Sequence, residues 1–119
     1  MSSIRRIDQN DRRSRAVIHD RLICLAGQVA NDLSGDIRQQ AREAFAKVDD
    51  LLAQAGSDKT RVLNVTIWLA DVADYDAFNA VWDAWVVQGQ TPARACAQVK
   101  FPDPRVRVEL LVTAAGGAA

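Results

Sequence analysis

Arg94, Cys96 and Gln98 stand at alternate positions of Ala93-Arg94-Ala95-Cys96-Ala97-Gln98-Val99. In an extended strand they share one face. A guanidinium, a thiol and an amide on one surface suit a small anion. Arginine in particular presents a planar fork that grips a carboxylate bidentately. The opposite face, Ala93, Ala95, Ala97 and Val99, is small and flat and suits a helix packing on it. The same pattern also fits an exposed strand arginine in a surface ion pair, which is a common and weak interaction. Further on, Arg105-Val106-Arg107-Val108-Glu109-Leu110 puts Arg105, Arg107 and Glu109 on one face and three aliphatic residues on the other. Glu109 has the chemistry of a general acid or base, above all if burial raises its pKa. Alternation alone favours a solvated face with a cross-strand ion pair.

Other residues carry weaker signals. Gly27 follows an apolar run and precedes Gln28, where a glycine admits close backbone approach or simply ends a strand. Asn79 lies beside an apolar helical stripe and either caps packing against a loop or lines a cleft. His19 has no Ser, Cys or acidic partner at motif spacing. Trp68, Trp82 and Trp85 read most simply as core or subunit contacts. No P-loop, dinucleotide fingerprint or nucleophile elbow is present. With two cysteines and one histidine, no dedicated zinc site or other metal is expected.

The elements that must position these residues follow from periodicity. Ser3 to Asp8 is a weak first strand. Ala16 to His19 and Leu22 to Ala26 flank the polar pair Asp20-Arg21, the pattern of a tight hairpin. From Asp36, a plausible N-cap, to Ala55, apolar residues recur at helical spacing, and Gly56 follows as a C-cap. Arg61 to Ala70 is β-branched and nearly all apolar, as expected of a strand buried on both faces. Asp74 opens a second helix with Ala77, Phe78, Val81, Trp82, Trp85 and Val86 on one side, and Gly89 is expected to stop it. Strands at Ala93 to Val99 and Val106 to Thr113 enclose Lys100-Phe101-Pro102-Asp103-Pro104, which two prolines stiffen. The order β-β-β-α-β-α-β-β predicts an α+β domain: a single mixed sheet with two helices packed on one face. The bare sheet face predicts an oligomer.

The 119 residues suit one domain, 1–119, with residues 114–119 expected to fray. Hydrophobic residues at 49% and charged residues at 25% exclude wholesale disorder. Fifteen basic and fifteen acidic residues cancel, which argues against a nucleic-acid partner. No apolar run approaches the roughly 20 residues of a membrane span. With no signal-peptide core at the start, the cytoplasm is the expected compartment, and Cys24 and Cys96 are expected as thiols.

Pro92-Ala93-Arg94-Ala95-Cys96-Ala97-Gln98-Val99, then Pro102 and Val106-Arg107-Val108-Glu109, resembles the signature of the Rid (YjgF) family, a Pro-Ala-Arg-x-x-x-x-Val strand followed by Val-x-(Ile/Val)-Glu. Gly27-Gln28, the strand Arg61 to Leu69 and the Asp-(Phe/Tyr)-x-x-(Phe/Val)-Asn helix from Asp74 extend the resemblance over about residues 15–113. The Asn79-x-x-Trp82-x-x-Trp85 helix looks like a less-studied branch. The resemblance implies a chorismate-mutase-like fold and a homotrimer with sites in the clefts between subunits. It implies hydrolysis of 2-imino and enamine acids, such as 2-iminopropanoate, 2-iminobutanoate and 2-aminoacrylate, to 2-keto acids and ammonia, without a cofactor. Arg94 then grips the substrate carboxylate, Glu109 positions the attacking water, and Cys96, Gly27 and Asn79 line the pocket. The family's Tyr before the second strand and Ser before Gly-Gln are replaced here by Arg13-Ser14-Arg15-Ala16 and Ala26, so Arg15 is the candidate to enter the cleft. The competing reading is a non-catalytic, small-carboxylate-binding or regulatory trimer. A mutase could count Arg15, Arg94 and Arg107 as cations but would rest on fold analogy alone.

Overall fold

The computed structural model describes residues 3–116. The elements run β1 (Ile4–Gln9), β2 (Ser14–His19), β3 (Leu22–Leu25), α1 (Ile37–Gln54), β4 (Val62–Leu69), α2 (Tyr75–Trp85), β5 (Ala93–Gln98) and β6 (Val108–Ala115). This is the expected order. The six strands form one mixed sheet in the order β1-β2-β3-β6-β4-β5. β5 joins β4 in parallel, and the other pairings are antiparallel. The parallel pair needs a crossover, and α2 provides it.

Local chemistry sets the boundaries. Asp20 turns the β2–β3 hairpin with φ 52°, a left-handed conformation that Asp tolerates. Asp36 caps α1, its side chain accepting from the Gln39 amide at 2.9 Å. Gly56, with φ 80°, follows the helix end in the left-handed conformation that favours glycine. α2 ends at Trp85 because Val86 is already extended, so Gly89 (φ 85°) belongs to a later turn and does not stop the helix.

The core lies between the helices and one face of the sheet. Phe45 of α1 stacks on Trp85 of α2 at 4.5 Å between ring centroids, with Phe78 and Trp82 completing the cluster. Val65, Ile67 and Leu69 of β4 face this core with Leu110 and Val108 of β6. β4 is not buried on both faces as its composition suggested: Asn64 is exposed, and Thr66 and Trp68 are half-buried on the other side. Among the described residues no helix covers that side. The tail also departs from expectation. Ala114 and Ala115 belong to β6, Ala114 is fully buried, and the Gly116 amide donates to the Arg21 carbonyl. Residues 117–119 lie outside the described residues.

Gln40 joins α1 to the segment before β6. It is fully buried. Its Nε2 faces the carbonyls of Leu33, Gly35 and Arg105, and its Oε1 accepts from the Arg107 amide at 2.9 Å. Gln40→Leu strands these groups without partners. It should lower unfolding free energy by roughly 2–4 kcal/mol in urea titration, since each buried orphan costs about 1–3 kcal/mol. A loss under about 1 kcal/mol would show that water replaces the amide.

Candidate active site

Arg94 is held by α2. Its Nη2 donates to Asn79 Oδ1 at 2.9 Å and to Tyr75 Oη at 3.3 Å. The guanidinium carbon lies 4.7 Å from the centroid of the Trp82 ring and 5.9 Å from that of Tyr75. Tyr75, Asn79 and Trp82 fall at i, i+4 and i+7, so one helical face forms the cradle. Stacking on an indole and bonding to an amide oxygen restrict the side chain before any ligand arrives. Among the described residues, both hydrogen bonds leave from Nη2, so the donors on Nε and Nη1 remain uncommitted. The alternative of a surface ion pair does not hold, because no carboxylate among the described residues lies within 4 Å of this guanidinium.

Beside Arg94 is an open cavity of about 380 Å³, bounded by Leu69, Val72, Tyr75, Cys96 and Gln98. The side-chain carbonyl of Gln98 accepts from the Val72 amide at 2.7 Å and ties β5 to the turn before α2. Cys96 is half-buried against the core, and burial pushes its thiol pKa up while Arg94 partly opposes this. A protonated, inward thiol is a poor nucleophile. The β5 faces are therefore the reverse of the packing expectation. Arg94 and Cys96 look toward α2, and Ala93, Ala95 and Ala97 are exposed.

Glu109 belongs to a different neighbourhood. Register pairs it with Trp68, which in turn pairs with Ala97. It therefore lies on the bare face, whereas Arg94, paired with Val65, lies on the helix face. Two strand steps also separate them, roughly 10 Å of sheet. Glu109 is half-buried and makes no ion pair among the described residues. Desolvation raises its pKa above the ordinary 4.5. Arg105 and Arg107 do not share its ladder, because β6 starts at Val108. Arg105 pairs with Asp103 at 2.9 Å, and Arg107 lies 3.5 Å from Asp74 at the start of α2.

Gly27 sits against Glu109. A Cβ at Gly27 would lie 2.8 Å from Glu109 Cδ and closer still to Oε2. Close approach is thus the reason for glycine there. Gln28, buried, donates from Nε2 to the Ala26 carbonyl and accepts from Arg15 Nη2 at 3.1 Å. Arg15 also lies 3.9 Å from Asp8. β2 is four strand steps from β5, about 19 Å, so within one chain Arg15 does not enter the Arg94 cavity. The candidate residues thus fall into two groups on opposite faces of the sheet. One comprises Arg94, Asn79 and Cys96, and the other Gly27 and Glu109 with Arg15 behind them. Sequence reasoning missed Tyr75 and read Trp82 as a core or subunit contact. Their spacing with Asn79 on α2 was the available signal.

A family profile described as Endoribonuclease L-PSP matches residues 3–116. The chain belongs to this YjgF/Rid family. A RutC family protein of Haemophilus ducreyi is 38% identical over 112 residues, covering 94% of this chain and 96% of that one. A rat protein named 2-iminobutanoate/2-iminopropanoate deaminase is 34% identical over 110 residues, 87% of this chain and 80% of its own. The solved structure of a YjgF family member from Neisseria meningitidis superposes with a TM-score of 0.95 at 42% identity, over 98% of each chain. Rid family members therefore share this sheet and helix arrangement, and the family includes named imine deaminases. Among the described residues no helix is long and apolar enough to cross a membrane, and no group of three or more His, Cys, Asp or Glu is placed to hold a metal.

Proposed function

We propose that this protein hydrolyses reactive 2-imino and enamine acids, such as 2-iminopropanoate, 2-iminobutanoate and 2-aminoacrylate, to 2-keto acids and ammonia. The observation that carries the reading is Arg94, oriented on Trp82 and Asn79 with donors to spare beside an open cavity. An imino acid has a planar carboxylate next to an electrophilic C=N carbon. Arg94 fixes the carboxylate, which supplies orientation. Glu109 accepts a proton from water as its oxygen bonds to that carbon, giving a carbinolamine. The C–N bond then breaks as nitrogen takes the proton held by Glu109 and leaves as ammonia, while the carbinolamine hydroxyl gives its proton to solvent and becomes the keto group. The protonated imine is already electrophilic, so no cofactor is called for, and Cys96 has no step to perform.

The split between the two groups supports a homotrimer in which β5 and α2 of one subunit meet Gly27 and Glu109 of its neighbour. One second reading is a trimer of the same fold that binds small carboxylates without hydrolysing them, favoured by the separation of Glu109 from Arg94 within the chain. An assay separates the two. An amino-acid oxidase generates the imine, and semicarbazide traps what survives. Wild type should diminish the trapped imine. No effect with any imine would move the weight to the binding reading. Arg94→Ala and Glu109→Gln chains, each nearly inactive alone, should regain about a quarter of wild-type activity when refolded together, because each interface draws one residue from each side. No recovery in verified mixed oligomers would refute the shared site.

A further inference from the structure

One hydroxyl stands beside the Arg94 guanidinium. Tyr75 Oη lies 3.3 Å from Arg94 Nη2. A guanidinium has donors and no acceptor, so at this contact the phenol oxygen must accept. Its own O–H proton must then point elsewhere. Tyr75 is 41% exposed and borders the 380 Å³ cavity with Arg94. Among the described residues no acceptor takes that proton. Tyr75 is the first residue of α2, and the Arg94 guanidinium carbon lies 5.9 Å from its ring centroid.

We propose that Tyr75 is a substrate-binding residue whose phenol O–H donates to the carboxylate seated on Arg94. This rests on the reading of Arg94 given above and adds a second, uncharged donor to it. A carboxylate offers about four lone-pair sites, so a bidentate arginine leaves room for a further donor. Recognition is thereby tuned to an anion. A neutral carboxamide presents N–H groups in place of one oxygen and gains less from a donor there.

The test uses 2-oxobutanoate and its neutral analogue 2-oxobutanamide as probes, with dissociation constants measured by ligand-observed NMR on full-length wild type, Tyr75→Phe and Arg94→Ala. Tyr75→Phe should weaken 2-oxobutanoate roughly tenfold, in line with a hydrogen bond to a charged group. It should weaken 2-oxobutanamide much less and leave the thermal midpoint unchanged. In the deaminase assay the loss should appear in KM with kcat nearly kept, because the carboxylate keeps its charge throughout the reaction. If Arg94→Ala loses 2-oxobutanoate and Tyr75→Phe does not, the role of Tyr75 is overturned while Arg94 stands. Equal weakening of both probes by Tyr75→Phe would also overturn it, since that is the result of disturbed packing. If Arg94→Ala binds 2-oxobutanoate as wild type does, the underlying reading of Arg94 fails first.

Discussion

Arg94→Ala should remove imine hydrolysis, lowering kcat/KM by roughly a hundredfold or more, as expected when a bidentate, charge-assisted anchor is lost. The fold should survive. The guanidinium lies over the rim of an aromatic cluster whose members, Phe45, Phe78, Trp82 and Trp85, hold one another through ring contacts of 4.5–6.5 Å. Deleting the side chain removes a cation–π contact worth about 1 kcal/mol and leaves Asn79 and Tyr75 at a water-accessible cavity, where solvent satisfies them. Arg94→Lys is the sharper comparison. It keeps the charge but loses the planar fork, and a compact ammonium cannot both stay on Asn79 and present two parallel donors. It should recover little activity. Full activity in Arg94→Lys would show that charge alone suffices, and retained activity in a folded Arg94→Ala would end the assignment. Thermal melts and size-exclusion profiles of both variants provide the fold control.

Helices, strands and their order were legible because each carries a short-range signature. The stripe from Ile37 to Leu52, the hairpin pair Asp20-Arg21 and the β-branched run through Val65 and Ile67 all set local structure through periodicity or turn chemistry. Elements whose limits depend on tertiary partners were misjudged. β6 begins at Val108 because the buried Gln40 amide takes the Arg107 N–H, and nothing in the local sequence announces a partner 67 residues away. The faces of β5 were separated correctly, but which face meets the helix was not. Three alanines look like a helix seat, yet Arg94 packs inward because Trp82 and Asn79 provide an aromatic surface and an acceptor for it. The candidate residues came from alternation and residue chemistry and took their roles from one resemblance, while their division between two sheet faces is a matter of register. Alternation assigns residues to faces within a strand. It does not say which face of β5 continues which face of β6, and that relation decides that Arg94 and Glu109 of one chain point apart.

Glu109→Gln should lower kcat by roughly 10²–10⁴, the range typical of a positioned general base, while binding of 2-oxobutanoate changes far less. The reason lies in its surroundings. Glu109 lies against Gly27 on the bare sheet face, with Trp68 opposite and no cation within ion-pair distance among the described residues. Burial therefore disfavours its charge, and its pKa rises above 4.5. A base must be ionised to act, so wild-type activity should fall as pH drops through this raised value. The acid limb should sit above 4.5 and vanish in the residual activity of Glu109→Gln. Stability gives an independent reading of the same shift. A carboxyl whose folded pKa is raised contributes stability while protonated, fully below its unfolded value and lost as pH rises through the folded one. At neutral pH the ionised Glu109 is thus a net cost, and Glu109→Gln should melt no lower than wild type. Any stability advantage of the variant should shrink as pH falls toward 4.5. Loss of activity with unchanged or improved stability separates a chemical role from a structural one. Equal losses in 2-oxobutanoate binding and turnover would instead make Glu109 a binding group, and the water would need another base.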